Sequence, residues 1–95
     1  MKEKFRIHLF IAGTVQGVFF RAHTRNVAQA SDLTGWVRNL PDGRVEVIAE
    51  GGRDRIAEFI RWCHKGPAMA SVANVEIYWE EATGEFKDFG IQYLH

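Results

Sequence analysis

Two hydrophobic periods take turns along this chain, and the order in which they do so leaves few folds open. Phe5, Ile7, Leu9 and Ile11 alternate with Arg6, His8 and Phe10. A period of two puts one face of a strand, over residues 5–12, against a core. Beyond the loop Gly13-Thr14-Val15-Gln16-Gly17-Val18 the period lengthens, and Phe20, Thr24, Val27, Ala28 and Ser31 fall on one face of a helix. Trp36–Leu40 and Val45–Ala49 then flank Pro41-Asp42-Gly43. Proline pre-sets a turn and glycine supplies positive φ, so a β-hairpin is expected. Gly51-Gly52 breaks the chain, Asp54 opens a second helix with Ile56, Phe59, Ile60 and Cys63 on one face, and Gly66-Pro67 ends it. Val75, Ile77 and Trp79 alternate with Glu76, Tyr78 and Glu80, and after Thr83-Gly84 a final run holds Phe89, Ile91 and Tyr93 on one face. Two closing strands follow from these runs.

The order β-α-β-β-α-β with one extra C-terminal strand predicts an α+β fold. An antiparallel sheet is covered on one face by two helices, the ferredoxin-like βαββαβ sandwich. A chain of 95 residues, free of repeats and linkers, is expected to form a single domain over residues 1–95. Ordering so short a chain costs roughly 1.5 kcal/mol per residue, so most of the three Trp and seven Phe are expected inside. Trp36, Trp62 and Trp79 are therefore read as packing residues, and Cys63, among apolar neighbours on its helix, as a core filler. The fold hosts many functions, so function has to be argued from the site.

Twelve Lys and Arg balance twelve Asp and Glu, which disfavours nucleic acid as a partner. An RNA-binding module on this fold would also need aromatics on its central strands and a basic surface. Arg44-Val45-Glu46-Val47-Ile48-Ala49-Glu50 supplies neither. No apolar run reaches the length of a membrane span, so no membrane association is expected. A lone cysteine forms no internal disulfide, which points to the reducing cytoplasm. His8, His23, His64 and His95 are scattered rather than placed at ligand spacing, and no metal is expected.

Charge is balanced overall but not locally. Between Arg6 and Asp32 there is no acidic residue, while His8, Arg21, His23 and Arg25 all fall in that stretch. Arg21 stands near the first turn of the predicted helix, where free N–H groups already carry partial positive charge. An anion would relieve that conflict, and a loop of inward N–H groups with a guanidinium fork suits phosphate. A side chain reaching out to solvent would relieve it as well. Asn39 lies in a strand-like run where asparagine is depleted. Its amide either faces a cleft or bonds the adjacent turn.

Val15-Gln16-Gly17-Val18-Phe19-Phe20-Arg21 resembles the phosphate loop of the acylphosphatases, and Gly35-Trp36-Val37-Arg38-Asn39-Leu40-Pro41-Asp42-Gly43-Arg44-Val45-Glu46-Val47 resembles that family's second signature. The two motifs stand in family order and spacing, and Trp62, Gly66-Pro67 and the late Phe89-x-Ile91 fit as well, so the resemblance covers nearly the whole chain. It implies hydrolysis of the carboxyl-phosphate bond of a small-molecule acyl phosphate, without metal or cofactor, with inorganic phosphate as product and inhibitor. It further implies that Arg21 binds the phosphoryl group with backbone N–H groups of Gln16, Gly17, Val18, Phe19, Phe20 and Arg21, and that Asn39 orients the attacking water. A monomer is expected. The family pattern commonly has glycine where this chain has Phe19: at positive φ that residue is strained, and at negative φ it covers the pocket mouth. A non-catalytic phosphate or carbamoyl-phosphate binding domain is the alternative function.

Overall fold

The computed structural model describes residues 3–93. It contains β1 (Lys4–Thr14), α1 (Phe20–Ala30), β2 (Thr34–Asn39), β3 (Val45–Gly52), α2 (Arg53–Lys65), β4 (Ser71–Glu81) and β5 (Phe89–Ile91). The expected order of strands and helices is present. The strands form one five-stranded sheet in the order β4-β1-β3-β2-β5.

The apolar face of each element meets in one layer. Ile7, Leu9 and Ile11 of β1, Val37 of β2 and Val45, Val47 and Ala49 of β3 are buried beneath Phe20 and Ala28 of α1 and Ile56, Phe59 and Cys63 of α2. Burial removes the Cys63 thiol from water and pushes its pKa up, so it is an inert filler as its periodicity implies. Gly43 takes φ +96° in the turn between β2 and β3, the conformation that the turn chemistry requires. Trp36 and Trp62 are half-buried, whereas Trp79, on the edge strand β4, stays 53% exposed with its ring edge-on to Phe5. An edge strand has a neighbour on one side only, so less of the expected burial is available to it.

The sheet is mixed rather than antiparallel throughout, because β5 runs parallel to β2, with Gly35 opposite Phe89 and Val37 opposite Ile91. The end at which β4 stops explains the direction. Glu81 pairs with Phe5 and Thr34 pairs with Glu50, so β4 ends where β2 begins. Residues 82–88 cross that end of the sheet and deliver β5 beside the start of β2.

A buried carboxylate pins this crossing. Glu50, 2% exposed, accepts hydrogen bonds from the Thr83 and Gly84 N–H groups at 3.0 Å and from Arg6 Nε at 2.6 Å. Arg6 also pairs with Glu85. Burial works to raise the Glu50 pKa, but the Thr83 N–H, the Arg6 guanidinium and the Gly84 N–H outweigh it and hold the group below its ordinary value. A depressed folded-state pKa adds stability above the unfolded value of about 4.3 and withdraws it as pH falls through the folded value. Glu50→Gln is therefore expected to cost about 2 kcal/mol in urea unfolding at neutral pH. The gap to wild type should narrow as the buffer is taken below about pH 4; a gap independent of pH would contradict this role for the carboxylate.

Candidate active site

The other end of the sheet carries the site. The loop leaving β1 turns back into α1 beside the β2–β3 turn, and Gln16 ties the two together. Its Nε2 donates to the carbonyls of Leu40 and Arg44, both at 2.9 Å. These carbonyls belong to the two sides of the hairpin, so one side chain fixes the loop against the turn that carries Asn39.

A cleft of about 310 Å³ opens there, with Gly17, Phe19, Phe20, Arg21, Asn39 and Tyr93 among its walls. Arg21 and Asn39, which are 18 positions apart in sequence, thus share one concave surface. Of the expected loop residues, Gly17, Phe19, Phe20 and Arg21 line the cleft, while Gln16 and Val18 do not. The Gln16 side chain is committed to the hairpin, and Val18 packs against the core.

Arg21 is half-buried and makes no ion pair among the described residues. Arg6, Arg38 and Arg44 each have an acidic partner. The Arg21 guanidinium lies over the Tyr93 ring, 5.0 Å from its centroid, a cation–π contact that holds the cation without neutralising it. Nothing acidic occurs in the first turn of α1, and no side chain among the described residues caps its N-terminus. The helix end therefore keeps free N–H donors and its positive partial charge beside a positive side chain. That combination favours an anion in the cleft.

Asn39 supplies the complementary observation. Its Oδ1 is buried and has no hydrogen-bond partner among the described residues. The turn does not use it. Leu40 N donates to Arg44 O at 2.8 Å, Gly43 N to Leu40 O at 3.1 Å, and Arg44 N to Asp42 Oδ1 at 3.1 Å. A buried acceptor left unpaired costs about 1–3 kcal/mol, so the turn's own hydrogen bonds do not account for this amide in the wall of the cleft.

Phe19 sits at the junction of loop and helix with φ 60° and ψ 23°, the left-handed region. The positive-φ alternative is the one realised, and for a bulky side chain it is strained. Phe19→Gly is expected to raise stability by about 1 kcal/mol in thermal or urea unfolding. A loss of stability would show that the ring's contacts outweigh the strain.

Sequence reasoning has no signal for Tyr93 as a wall of the cleft, because its alternation with Ile91 marks only a strand face. No group of three or more His, Cys, Asp or Glu suited to a metal occurs among the described residues, and His95 lies outside them. Among the described residues no helix is long and apolar enough to cross a membrane.

The acylphosphatase family profile matches residues 7–91, a span that contains the whole cleft except Tyr93. The chain belongs to the acylphosphatase family. It is 54% identical over 80 residues to the acylphosphatase of Chloroflexus aurantiacus, covering 84% of this chain and 87% of that protein. The solved acylphosphatase of Coxiella burnetii superposes with a TM-score of 0.89 at 40% identity over 95% of this chain and 94% of its own. The acylphosphatase of Bacillus subtilis gives 0.91 at 30% identity over 94% and 99%. The cleft, with its unneutralised arginine and orphaned amide oxygen, is thus the candidate active site of an acylphosphatase-family chain.

Proposed function

We propose that this cleft hydrolyses the carboxyl-phosphate bond of acyl phosphates, with Arg21 and the loop amides holding the phosphoryl group and Asn39 orienting the water. Family membership supports the reaction. The observation that carries the division of roles is the buried, unpartnered Asn39 Oδ1 in the same cleft as an arginine without an acidic partner among the described residues. The Asn39 side-chain amide orients the attacking water, while the guanidinium and the N–H groups from about Gln16 to Arg21 stabilise charge on the equatorial phosphoryl oxygens.

The chemistry asks for little else. A mixed anhydride expels a carboxylate, a weak base that leaves without a proton from a general acid. The water oxygen bonds to phosphorus, the phosphorus–oxygen bond to the acyl group breaks, and both water protons leave on inorganic phosphate. Positioning and charge stabilisation carry such a transfer. Arg21 and the amides bind product as they bind substrate, so inorganic phosphate acts as a competitive inhibitor. The chain works as one domain over residues 1–95 and as a monomer, and Cys63, its lone cysteine, fits the reducing cytoplasm.

Phosphate release from benzoyl phosphate in the presence of EDTA, beside a no-enzyme control, tests the proposal. The expected result is turnover that inorganic phosphate suppresses competitively. A folded protein that bound phosphate without turnover would instead be a phosphate or carbamoyl-phosphate binding domain.

A further inference from the structure

The cleft holds more apolar surface than a phosphate site requires. Phe19 is 77% exposed and Tyr93 64% exposed, both are walls of the cleft that contains Arg21, and Ile91 adds an aliphatic wall. Phe19 is the least buried of the large hydrophobic residues described, and it is held in that position by a backbone conformation that disfavours its own side chain. Neither packing nor backbone preference accounts for the residue. A ligand in the cleft that covered the ring would give both the strain and the exposed apolar area a use.

Both rings wall the cleft that holds Arg21. Arg21 lies over the Tyr93 ring, so aromatic surface adjoins the cation that takes the phosphoryl group. The acyl carbon is one oxygen away from phosphorus, so a phosphoryl group held by Arg21 keeps the acyl group within reach of these walls. We infer that Phe19, with Tyr93 as a second wall, is a specificity-determining residue that selects acyl phosphates with an apolar, above all an aromatic, acyl group. The inference rests on the acyl phosphate reading above and adds the substrate class.

The test compares kcat/KM for benzoyl phosphate with kcat/KM for acetyl phosphate in the wild type, Phe19→Ala and Phe19→Tyr. The two substrates share the phosphoryl group, so their ratio cancels whatever a substitution does to the phosphate cradle. The two also differ in intrinsic reactivity, which is why the change in the ratio, not its absolute size, is decisive. Phe19→Ala should lower the benzoyl-to-acetyl ratio by about tenfold, the size of one aromatic contact, mostly through KM for benzoyl phosphate. Phe19→Tyr keeps the ring and should keep the ratio. An unchanged ratio in Phe19→Ala, with both substrates still hydrolysed, would overturn the inference and leave the catalytic reading standing. Failure of a folded wild-type protein to hydrolyse either substrate would overturn the catalytic reading and the inference with it.

Discussion

Arg21→Ala should lower kcat/KM for benzoyl phosphate by on the order of 100- to 1000-fold or more, the loss seen when a preorganised donor to developing transition-state charge is removed. The guanidinium has no acidic partner among the described residues and rests on the Tyr93 ring, so its charge is directed at the cleft rather than spent inside the protein. Its removal also leaves the free N–H groups of α1 as the main donors to the phosphoryl group. Inhibition by inorganic phosphate should weaken in parallel, since the same fork binds product. Arg21→Lys restores the charge but not the planar pair of donors, and only part of the activity should return with it. Arg21→Ala with wild-type turnover would remove Arg21 from the mechanism.

Asn39→Ala is expected to behave differently. Its turnover number should fall by about 100-fold, the scale of a misplaced reacting group, while inhibition by inorganic phosphate stays close to wild type. Water positioning acts on the transition state and leaves ground-state binding alone. Stability gives a second readout. The substitution removes a buried acceptor that has no partner among the described residues, so the variant should be at least as stable as wild type in urea unfolding. Equal weakening of phosphate inhibition in Arg21→Ala and Asn39→Ala would contradict the separation of roles.

Much of the fold and the cleft is legible in the amino-acid pattern, and each feature that is not has a physical cause. Ile7, Leu9 and Ile11, like Phe20, Thr24 and Ala28, show their buried faces through period alone, because each element meets the core on one side. Glu46 and Glu50 fall on the face of β3 opposite Val45, Val47 and Ala49, and nothing in the pattern marks them as buried, yet both are. His8 and Arg38 lie 2.6 Å from the carboxylate of Glu46, and Arg6 covers Glu50. These partners come from neighbouring strands, where only register brings them into reach. The direction of β5 depends on which end of the sheet β4 reaches, which no local pattern encodes. Arg21 and Asn39 stand out through local charge and through an amide in a strand, and the family motifs join them. Gln16 shows the limit of local reading. Its backbone is expected to serve the phosphate, whereas its side chain bridges to carbonyls 24 and 28 residues away, a contact that exists only once loop and hairpin are adjacent. At Phe19 the departure from glycine marks the position, and only the backbone geometry supplies the sign of φ.

On the proposed mechanism, water held by Asn39 attacks phosphorus while Arg21 and the loop amides hold the phosphoryl group. Hydrolysis of benzoyl phosphate in water enriched in heavy oxygen, with EDTA present and mass analysis of both products, tests it most directly. The expected result is enzyme-dependent turnover with the solvent oxygen in inorganic phosphate and none in benzoate. Solvent oxygen in benzoate would place the attack at the carbonyl carbon and contradict it.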